Sequence, residues 1–163
     1  MSDISHYIDG KRVAGTSGRA GSVFNPATGE KIRTVDFATS AELDAAVQSA
    51  AKAFPGWAAT PPLTRARILF KFLEVVAREH DSLARVISEE HGKVFSDAHG
   101  EITRGVEVVE FACGIPHLMK GEFTEGVGRG IDSWSVRQPL GVRAGITPFN
   151  FPAMVPMGMF PMA

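Results

Sequence analysis

The sequence has little of several features that would fix a protein's class at once. It contains a single cysteine, Cys113, so no disulfide can form within the chain, which fits a reducing compartment. Its 17 basic and 18 acidic residues leave a formal charge of -1. That charge is too small to gather nucleic acid or an anionic membrane surface. We therefore expect no nucleic-acid partner and no membrane partner.

The N-terminus lacks both a long apolar segment and an arginine-rich stretch. Residues 1–11 read MSDISHYIDGK, which matches neither a secretory signal nor a transit peptide, so a cytoplasmic location is expected. The C-terminus lacks charge from Ala144 onwards, but its apolar run is divided by Pro148, Pro152, Pro156 and Pro161. Because a helix in a bilayer must satisfy its own backbone, this run is a poor membrane span.

The remaining composition is that of a folded domain. A chain of 163 residues with 44% hydrophobic residues can bury a core of its own. The first forty residues combine short β-prone runs with glycine-containing turns, which predicts hairpin strands. Thr39 and Glu42 then form a capping-box pattern, which predicts a helix that ends at Pro55-Gly56.

Three more helices are expected along the middle of the chain. The second begins after Pro61-Pro62, the third runs from Asp81 to Gly92, and the fourth runs from about Ser96 toward Pro116. Amphipathic helices of this length need a sheet to cover, so the fold class is α/β. Residues 121–136 have little helical periodicity and contain Gly126, Gly128 and Gly130, which predicts an extended hairpin that offers a strand to another subunit.

The last stretch, residues 139–163, is the most informative. It predicts a buried strand from Gly141 to Thr147, a tight turn at 148–150 and an apolar helix with Pro152 near its start. Asn150 then lies at a strand-to-helix junction, where parallel α/β sheets bind ligands. Its amide can donate a hydrogen bond to an oxyanion. From the residues alone, an ordinary turn asparagine is favoured by about two to one.

Arg104 is the second candidate. It lies on the predicted fourth helix between Glu101 and Glu107, so a surface ion pair at helical spacing explains it without any function. A planar guanidinium also suits bidentate binding of a carboxylate. Both interpretations stay open on the residues alone.

Other reactive side chains form no convincing site. Cys113 and His117 are four residues apart and could form a nucleophile pair on a helix. Pro116 disturbs that helix, and a buried free cysteine usually packs as a small hydrophobic residue, so we expect no dyad. The five histidines show no ligand spacing with other metal-binding side chains, so no metal site is expected.

Several motifs resemble one known family. The run GITPFNFP at 145–152 resembles the asparagine-bearing motif of the aldehyde dehydrogenase superfamily. PFNFPAMVP and MFPMA are similar to its CoA-acylating methylmalonate-semialdehyde dehydrogenase branch. Other segments agree with that branch, so the resemblance runs over nearly the whole chain: YIDGK, NPATGE, AFPGWA, EEHGK and GEITRGVEVVEFACGIPHLMKGE. One departure is Gly158, where the branch usually carries tryptophan.

The resemblance implies an aldehyde dehydrogenase-type fold of which this chain is the N-terminal portion. Residues 1–120 would begin the NAD-binding domain, and 121–138 would be the hairpin of the oligomerisation region. Residues 139–163 would supply a strand of the parallel cofactor-binding sheet, the asparagine-bearing turn and the first helix. The nucleophilic cysteine and the glycine loop would lie beyond the chain, which alone should be inactive. A homo-oligomer, either a dimer or a tetramer, is implied.

The resemblance also implies roles for residues. Asn150 would hold the oxyanion of the thiohemiacetal, and Arg104 would grip the carboxylate of the semialdehyde. The wall along the nicotinamide ribose would comprise Ile146, Thr147, Pro148 and Phe149, although packing at the sheet edge explains Ile146 equally well. The complete enzyme would oxidise methylmalonate or malonate semialdehyde with NAD and CoA, and decarboxylation would accompany the route to propionyl-CoA or acetyl-CoA.

Two alternatives remain open. A non-acylating, NAD(P)-dependent aldehyde dehydrogenase for another semialdehyde would share the Asn150 junction, and a downstream glutamate base would favour it. A non-catalytic binding or subunit-interaction module could also be built on the same partial fold. A reading frame that stopped after Ala163 would favour the module.

Overall fold

The computed structural model describes residues 4–163, which form six short strands and five helices. The strands are β1 (His6–Ile8), β2 (Lys11–Val13), β3 (Ala20–Phe24), β4 (Lys31–Asp36), β5 (Phe123–Gly128) and β6 (Ile131–Trp134). The helices are α1 (Ser40–Ala59), α2 (Pro62–His91), α3 (Phe95–Cys113), α4 (Ile115–Leu118) and α5 (Met154–Met159).

The strands pair as three separate antiparallel hairpins, β1 with β2, β3 with β4, and β5 with β6. Asp9 and Gly10 join the first pair, and both have positive φ angles, as a tight two-residue hairpin turn requires. The hairpins predicted for the first forty residues are therefore confirmed. Among residues 4–163 the one parallel pairing outside these hairpins is an isolated bridge between Ile4 and Val35.

Helix α1 begins at the predicted capping box. The backbone N–H of Glu42 donates to Thr39 Oγ1 at 3.2 Å, and the backbone N–H of Thr39 donates to Glu42 Oε2 at 2.7 Å. These backbone and hydroxyl hydrogen bonds lower the pKa of Glu42 to about 2. The predicted end was wrong, because α1 continues through Pro55 to Ala59. A proline removes one N–H donor near the end of a helix, but the residues after it can remain helical.

Helix α2 is continuous over the position where a third helix was expected to begin. Asp81 lies in its interior, so the predicted break there was wrong. The residues between Val76 and Asp81 include no glycine or proline, so nothing interrupts the backbone. The predicted end was correct: Gly92 has φ of 84° and donates its N–H to the carbonyl of Ser88, a left-handed cap that glycine allows.

The core lies between α2, α3 and α5. Ala84 of α2 and Ala98 of α3 are both fully buried, and small side chains let two helix backbones approach closely. The apolar cluster also contains Val76, Ile87, Ile102, Val109 and Met157. Helices α2 and α3 therefore pack mainly against each other, and in residues 4–163 neither of them is covered by a sheet.

The segment before Asn150 differs from its prediction. Residues 141–148 form neither a helix nor a strand, and Ile146 is 98% exposed. A strand exists only when a neighbour pairs with its backbone groups, and no strand among residues 4–163 pairs with this segment. The predicted buried strand from Gly141 to Thr147 was wrong for this chain, and the parallel sheet does not form within its described residues.

The β5–β6 hairpin confirms the extended hairpin predicted within residues 121–138. Phe123 pairs with Trp134 across it, and both side chains are mostly exposed. Val127 and Ile131 near its tip are also more than half exposed.

Within residues 4–163, no helix combines the length and the apolar character that crossing a bilayer would require.

Candidate functional site

Asn150 lies on a bend between the irregular segment 141–148 and α5. Its backbone oxygen accepts a hydrogen bond from the ammonium group of Lys93 at 3.0 Å. Its side chain is exposed, and the amide makes no hydrogen bond within residues 4–163. The turn is thus anchored through its main chain while the side-chain amide stays free to donate.

A buried carboxylate holds the other side of this turn. Glu101 on α3 is 0% exposed. Its Oε1 accepts the backbone N–H groups of Ala153 at 2.8 Å and Met154 at 3.1 Å. These are N–H groups at the start of α5, which have no partner inside that helix. Glu101 therefore caps the helix that follows the Asn150 turn.

Lys93 completes the arrangement. Its ammonium group lies 2.6 Å from Glu101 Oε2 and 4.5 Å from the centroid of the Phe151 ring. Its side chain is 13% exposed, so both charges of this pair are largely removed from water. A buried charge is tolerated when it is paired and hydrogen-bonded, and this pair connects residue 93, α3 and residues 150–154.

The environment keeps Glu101 ionised. Burial would raise the pKa of its carboxyl group, but the hydrogen bond from Lys93, the two N–H groups of Ala153 and Met154 and the positive charge of Lys93 outweigh it. The pKa of Glu101 is consequently lower than its ordinary value. An ionised Glu101 is what both Lys93 and the start of α5 require.

The close contact between α3 and α5 depends on Gly105. A Cβ atom built on Gly105 would overlap the terminal methyl group of Met157 and lie 3.3 Å from the Cα of Met154. Glycine is therefore required by space at this position. Gly158 stands where the methylmalonate-semialdehyde dehydrogenase branch usually carries tryptophan. By contrast with Gly105, a Cβ built on Gly158 meets no atom within 4 Å.

Arg104 lies one helical turn from the ion pair but does not join it. Its guanidinium group is 5.8 Å from the centroid of the Phe151 ring. No carboxylate of residues 4–163 forms an ion pair with it, and Glu101 pairs with Lys93 instead. The surface ion pair with Glu101 or Glu107, one of the two interpretations left open by the sequence, is therefore absent from the described residues, and the exposed guanidinium lies beside the Asn150 turn.

The four residues before Asn150 are largely open to solvent. Phe149 is 88% exposed, and Thr147 is half-buried. In residues 4–163 the main chain of 144–149 makes no hydrogen bond. Sheet-edge packing, the alternative role considered for Ile146, does not occur among residues 4–163.

Two clefts lie near these elements. One, of about 520 Å³, lies between α2 and the turn and is lined partly by Val86, Phe149 and Pro152. The other, of about 440 Å³, is lined by the ends of α1 and α2 and by residues 160–163. Neither is lined by Asn150 or Arg104. The described residues therefore provide an open surface around Asn150.

Cys113 is no candidate nucleophile. It is a buried free thiol at the end of α3, whereas His117 is exposed on α4. Burial, aided by the negative charge of Glu110, raises the pKa of the Cys113 thiol. A raised pKa leaves little thiolate to attack a carbonyl, which agrees with the prediction that no dyad forms.

Sequence reasoning missed the roles of Lys93 and Glu101. Glu101 was considered only as a surface partner of Arg104. A signal was present, because Glu101 lies on the stripe that α3 buries, together with Ala98, Ile102, Gly105 and Val109. A carboxylate on the core face of a helix requires a buried partner. Nothing local indicated that the partner would be Lys93.

Comparison with known proteins places these features in a family. A family model described as "Aldehyde dehydrogenase family" matches residues 13–163. A malonate-semialdehyde dehydrogenase of Pseudomonas aeruginosa is 49% identical over the whole chain, which covers 33% of that protein. The mitochondrial acylating methylmalonate-semialdehyde dehydrogenase of Arabidopsis thaliana is 48% identical over 98% of the chain, which covers 26% of that protein.

A solved structure gives the same result. It is a Sinorhizobium meliloti 1021 protein, named provisionally as a methylmalonate-semialdehyde dehydrogenase and complexed with NAD. It matches with a TM-score of 0.96 and 58% identity over 99% of this chain and 33% of its own. The chain thus spans about a third or less of the length of these relatives. Because the family match covers nearly all of it, this chain belongs to the aldehyde dehydrogenase family.

Proposed function

We propose that this chain is the N-terminal part of a longer enzyme that oxidises methylmalonate or malonate semialdehyde with NAD and CoA. The products would be propionyl-CoA or acetyl-CoA, together with NADH and the carbon dioxide released from the substrate carboxylate. The names of the similar proteins and the chain's coverage of about a third of them support this. The observation that carries the proposal is the Asn150 turn, which is anchored through its main chain while its amide remains unpaired.

Asn150 is the proposed oxyanion donor. When a nucleophile adds to an aldehyde, the carbonyl oxygen becomes negative, and a donor fixed in advance stabilises it most. Lys93 holds the backbone oxygen of Asn150, and Glu101 fixes the residues that follow it. We assign both as positioning residues, because they act on the reacting oxygen only through Asn150.

Arg104 is the proposed ligand of the substrate carboxylate. Its guanidinium is exposed, lies beside the Phe151 ring and has no acidic partner among residues 4–163. A planar guanidinium without a partner can bind a carboxylate through two parallel hydrogen bonds. This would favour a semialdehyde that carries a carboxylate over a simple aldehyde.

The proposed NAD contacts are Ile146, Thr147, Pro148 and Phe149. Their side chains are accessible, and in the described chain the main-chain polar groups of 144–149 have no hydrogen-bond partners. Such groups fit a ribose, which offers hydroxyls to donors and acceptors alike. NAD supplies the acceptor for the hydride that leaves the aldehyde carbon.

The remaining parts of the site would come from outside this chain. Cys113 cannot serve as the nucleophile, so the attacking cysteine must lie in the rest of the enzyme, and the isolated chain should be inactive. We divide the chain into 1–120, the start of the NAD-binding domain, 121–138, the oligomerisation hairpin, and 139–163, which begins the cofactor-binding fold. In the complete enzyme, residues 141–147 would gain a strand partner.

The hairpin supports a homo-oligomer, a dimer or a tetramer. Phe123, Val127, Ile131 and Trp134 expose apolar surface on a two-stranded ribbon, and exposed apolar patches mark interfaces. A second copy of the enzyme is the proposed partner. Sedimentation of the complete enzyme should show an oligomer, and replacement of Trp134 by lysine should shift it toward smaller species.

The proposal is tested with the complete enzyme, methylmalonate semialdehyde and NAD, with and without CoA. Reduction of NAD should require the semialdehyde, CoA should speed turnover, and propionyl-CoA should form. Free acid as the sole product would refute the acylating reaction and favour the non-acylating alternative. A native reading frame that stopped after Ala163 would refute the enzyme altogether and favour a binding module.

A further inference from the structure

Three metal-binding side chains come together where α2 crosses α3. His80 and Asp81 belong to α2, and His99 belongs to α3. One ligand atom from each lies within 4.8 Å of the other two, the one such group among residues 4–163. The spacing in sequence gave no sign of this cluster, because it depends on how the two helices pack.

Buried residues of both helices lie next to this cluster. Ala84, one turn after His80, and Ala98, next to His99, are both fully buried. The rings of His80 and His99 lie edge to face with centroids 3.9 Å apart, and His99 Nε2 is 3.6 Å from Asp81 Oδ1. The cluster thus lies beside buried residues of α2 and α3, while Asp81 and His99 are exposed and leave room for an ion to enter.

The donor atoms of this cluster suit a cation. Each imidazole can offer a ring-nitrogen lone pair, and the carboxylate of Asp81 offers oxygen. In residues 4–163 no lysine or arginine pairs with Asp81. Two imidazoles and a carboxylate form a ligand set that zinc and similar ions prefer.

We propose that His80, Asp81 and His99 bind a divalent transition-metal ion of the zinc type, with water completing the coordination. Zinc binds imidazole nitrogen at about 2.0 to 2.1 Å, so its ligand atoms lie about 3.3 Å apart. The ligand atoms now lie within 4.8 Å of one another, so the longest separation between them must shorten by about 1 to 1.5 Å. Rotamer changes of the exposed Asp81 and His99 side chains would shorten it. The ion would tie α2 to α3.

The test adds Zn²⁺ as the only metal at neutral pH and lets the full chain compete for it with a chromophoric chelator. The absorbance of the chelator then gives the affinity of the chain for zinc. We expect one zinc ion per chain. His80→Gln and His99→Gln should each weaken binding by at least roughly tenfold. Asp81→Asn should weaken it less, since the two imidazoles remain. Each variant is checked for folding by circular dichroism.

The matched control is His117→Gln, which changes an exposed histidine on α4 that is no member of this cluster. Its zinc affinity should equal that of the unchanged chain. A second readout is the thermal unfolding midpoint, which zinc should raise in the unchanged chain and the control but not in the two site variants. Absence of stoichiometric binding, or equal affinity in all variants, would overturn the proposal.

Discussion

Lys93 and Glu101 form an ion pair, with 2.6 Å between Nζ and Oε2, that is largely shielded from water. The pair has a second function, because each partner also binds the main chain between residues 150 and 154. The segment that bears the candidate catalytic asparagine is thereby fixed to the helical core. Removal of either partner should affect both stability and the geometry of the turn.

The first prediction concerns the stability of this pair. Glu101→Gln leaves the ammonium of Lys93 partly buried without its counter-charge, which should lower the free energy of unfolding by about 3 to 5 kcal/mol. Adding Lys93→Met should cost less than the sum of the two single changes, because residues in contact are not additive. Denaturant titration of the single and double variants measures this.

The exposed ion pair between Lys71 and Glu74 provides the control. Lys71→Met should change the free energy of unfolding by about 1 kcal/mol or less, since exposed pairs contribute little. An equal cost at both pairs, or additive costs of Lys93→Met and Glu101→Gln, would show that the buried pair is not coupled.

The second prediction concerns acid. The pKa of Glu101 is lower in the folded chain than its ordinary value of 4.5. The contribution of ionised Glu101 to the free energy of unfolding is therefore fully present when the pH is above that ordinary pKa. It is lost as the pH falls through the lowered pKa. The free energy of unfolding should fall more steeply with acid in the unchanged chain than in Glu101→Gln. Parallel curves of stability against pH would contradict the ionised state of Glu101.

The third prediction uses two glycines that lie on the two packed helices. Gly105→Ala forces a methyl group against Met157 and the backbone of Met154, and overpacking of this kind typically costs about 1 to 3 kcal/mol. Gly158→Ala meets no neighbour and should be neutral or stabilise the helix by up to about 1 kcal/mol. Equal effects of the two changes on urea midpoints would disprove the close approach of α5 to α3.

The fourth prediction concerns Arg104 in the complete enzyme. Arg104→Ala should reduce turnover of a carboxylate-bearing semialdehyde, at a cost of roughly 2 to 5 kcal/mol if the pair is desolvated, and should spare propionaldehyde. Arg104→Lys should retain only part of the turnover of that semialdehyde, because an ammonium group cannot bind a carboxylate through two parallel hydrogen bonds. Arg78→Ala, which alters an exposed arginine paired with Glu79, should leave both substrates unaffected. An equal loss toward both aldehydes would make Arg104 structural.

Local patterns were predictable from the sequence where the interaction itself is local. The Thr39–Glu42 capping box and the left-handed glycine at 92 involve neighbouring residues, and both appear as expected. The helix start predicted at Asp81 was wrong, because no glycine or proline ends α2 before that residue.

Long-range features could not be predicted in this way. The strand expected at 141–147 depends on a neighbouring strand, which the described residues do not supply. The choice of Lys93 as the partner of Glu101, and the meeting of His80 with His99, depend on how α2, α3 and the last turn pack together. The resemblance located Asn150, but only the structure showed how its turn is held.

The last prediction concerns Asn150. If its amide stabilises the developing oxyanion, Asn150→Ala should slow the chemical step by roughly 10² to 10³, the effect typical of losing one such donor. Its effect on NAD affinity should be small. Asn25 is the matched control, because its side chain binds the backbone N–H of Ala27 within its own turn. Asn25→Ala should lower stability without slowing the chemistry.

The decisive measurement is the single-turnover rate of NAD reduction by the complete enzyme and its Asn150→Ala variant, with NAD affinity determined separately for each. We predict a rate lower by roughly 10² to 10³ in the variant with nearly unchanged NAD binding. An unchanged single-turnover rate, or a loss of NAD affinity as large as the loss of rate, would contradict the assignment and make Asn150 an ordinary turn residue.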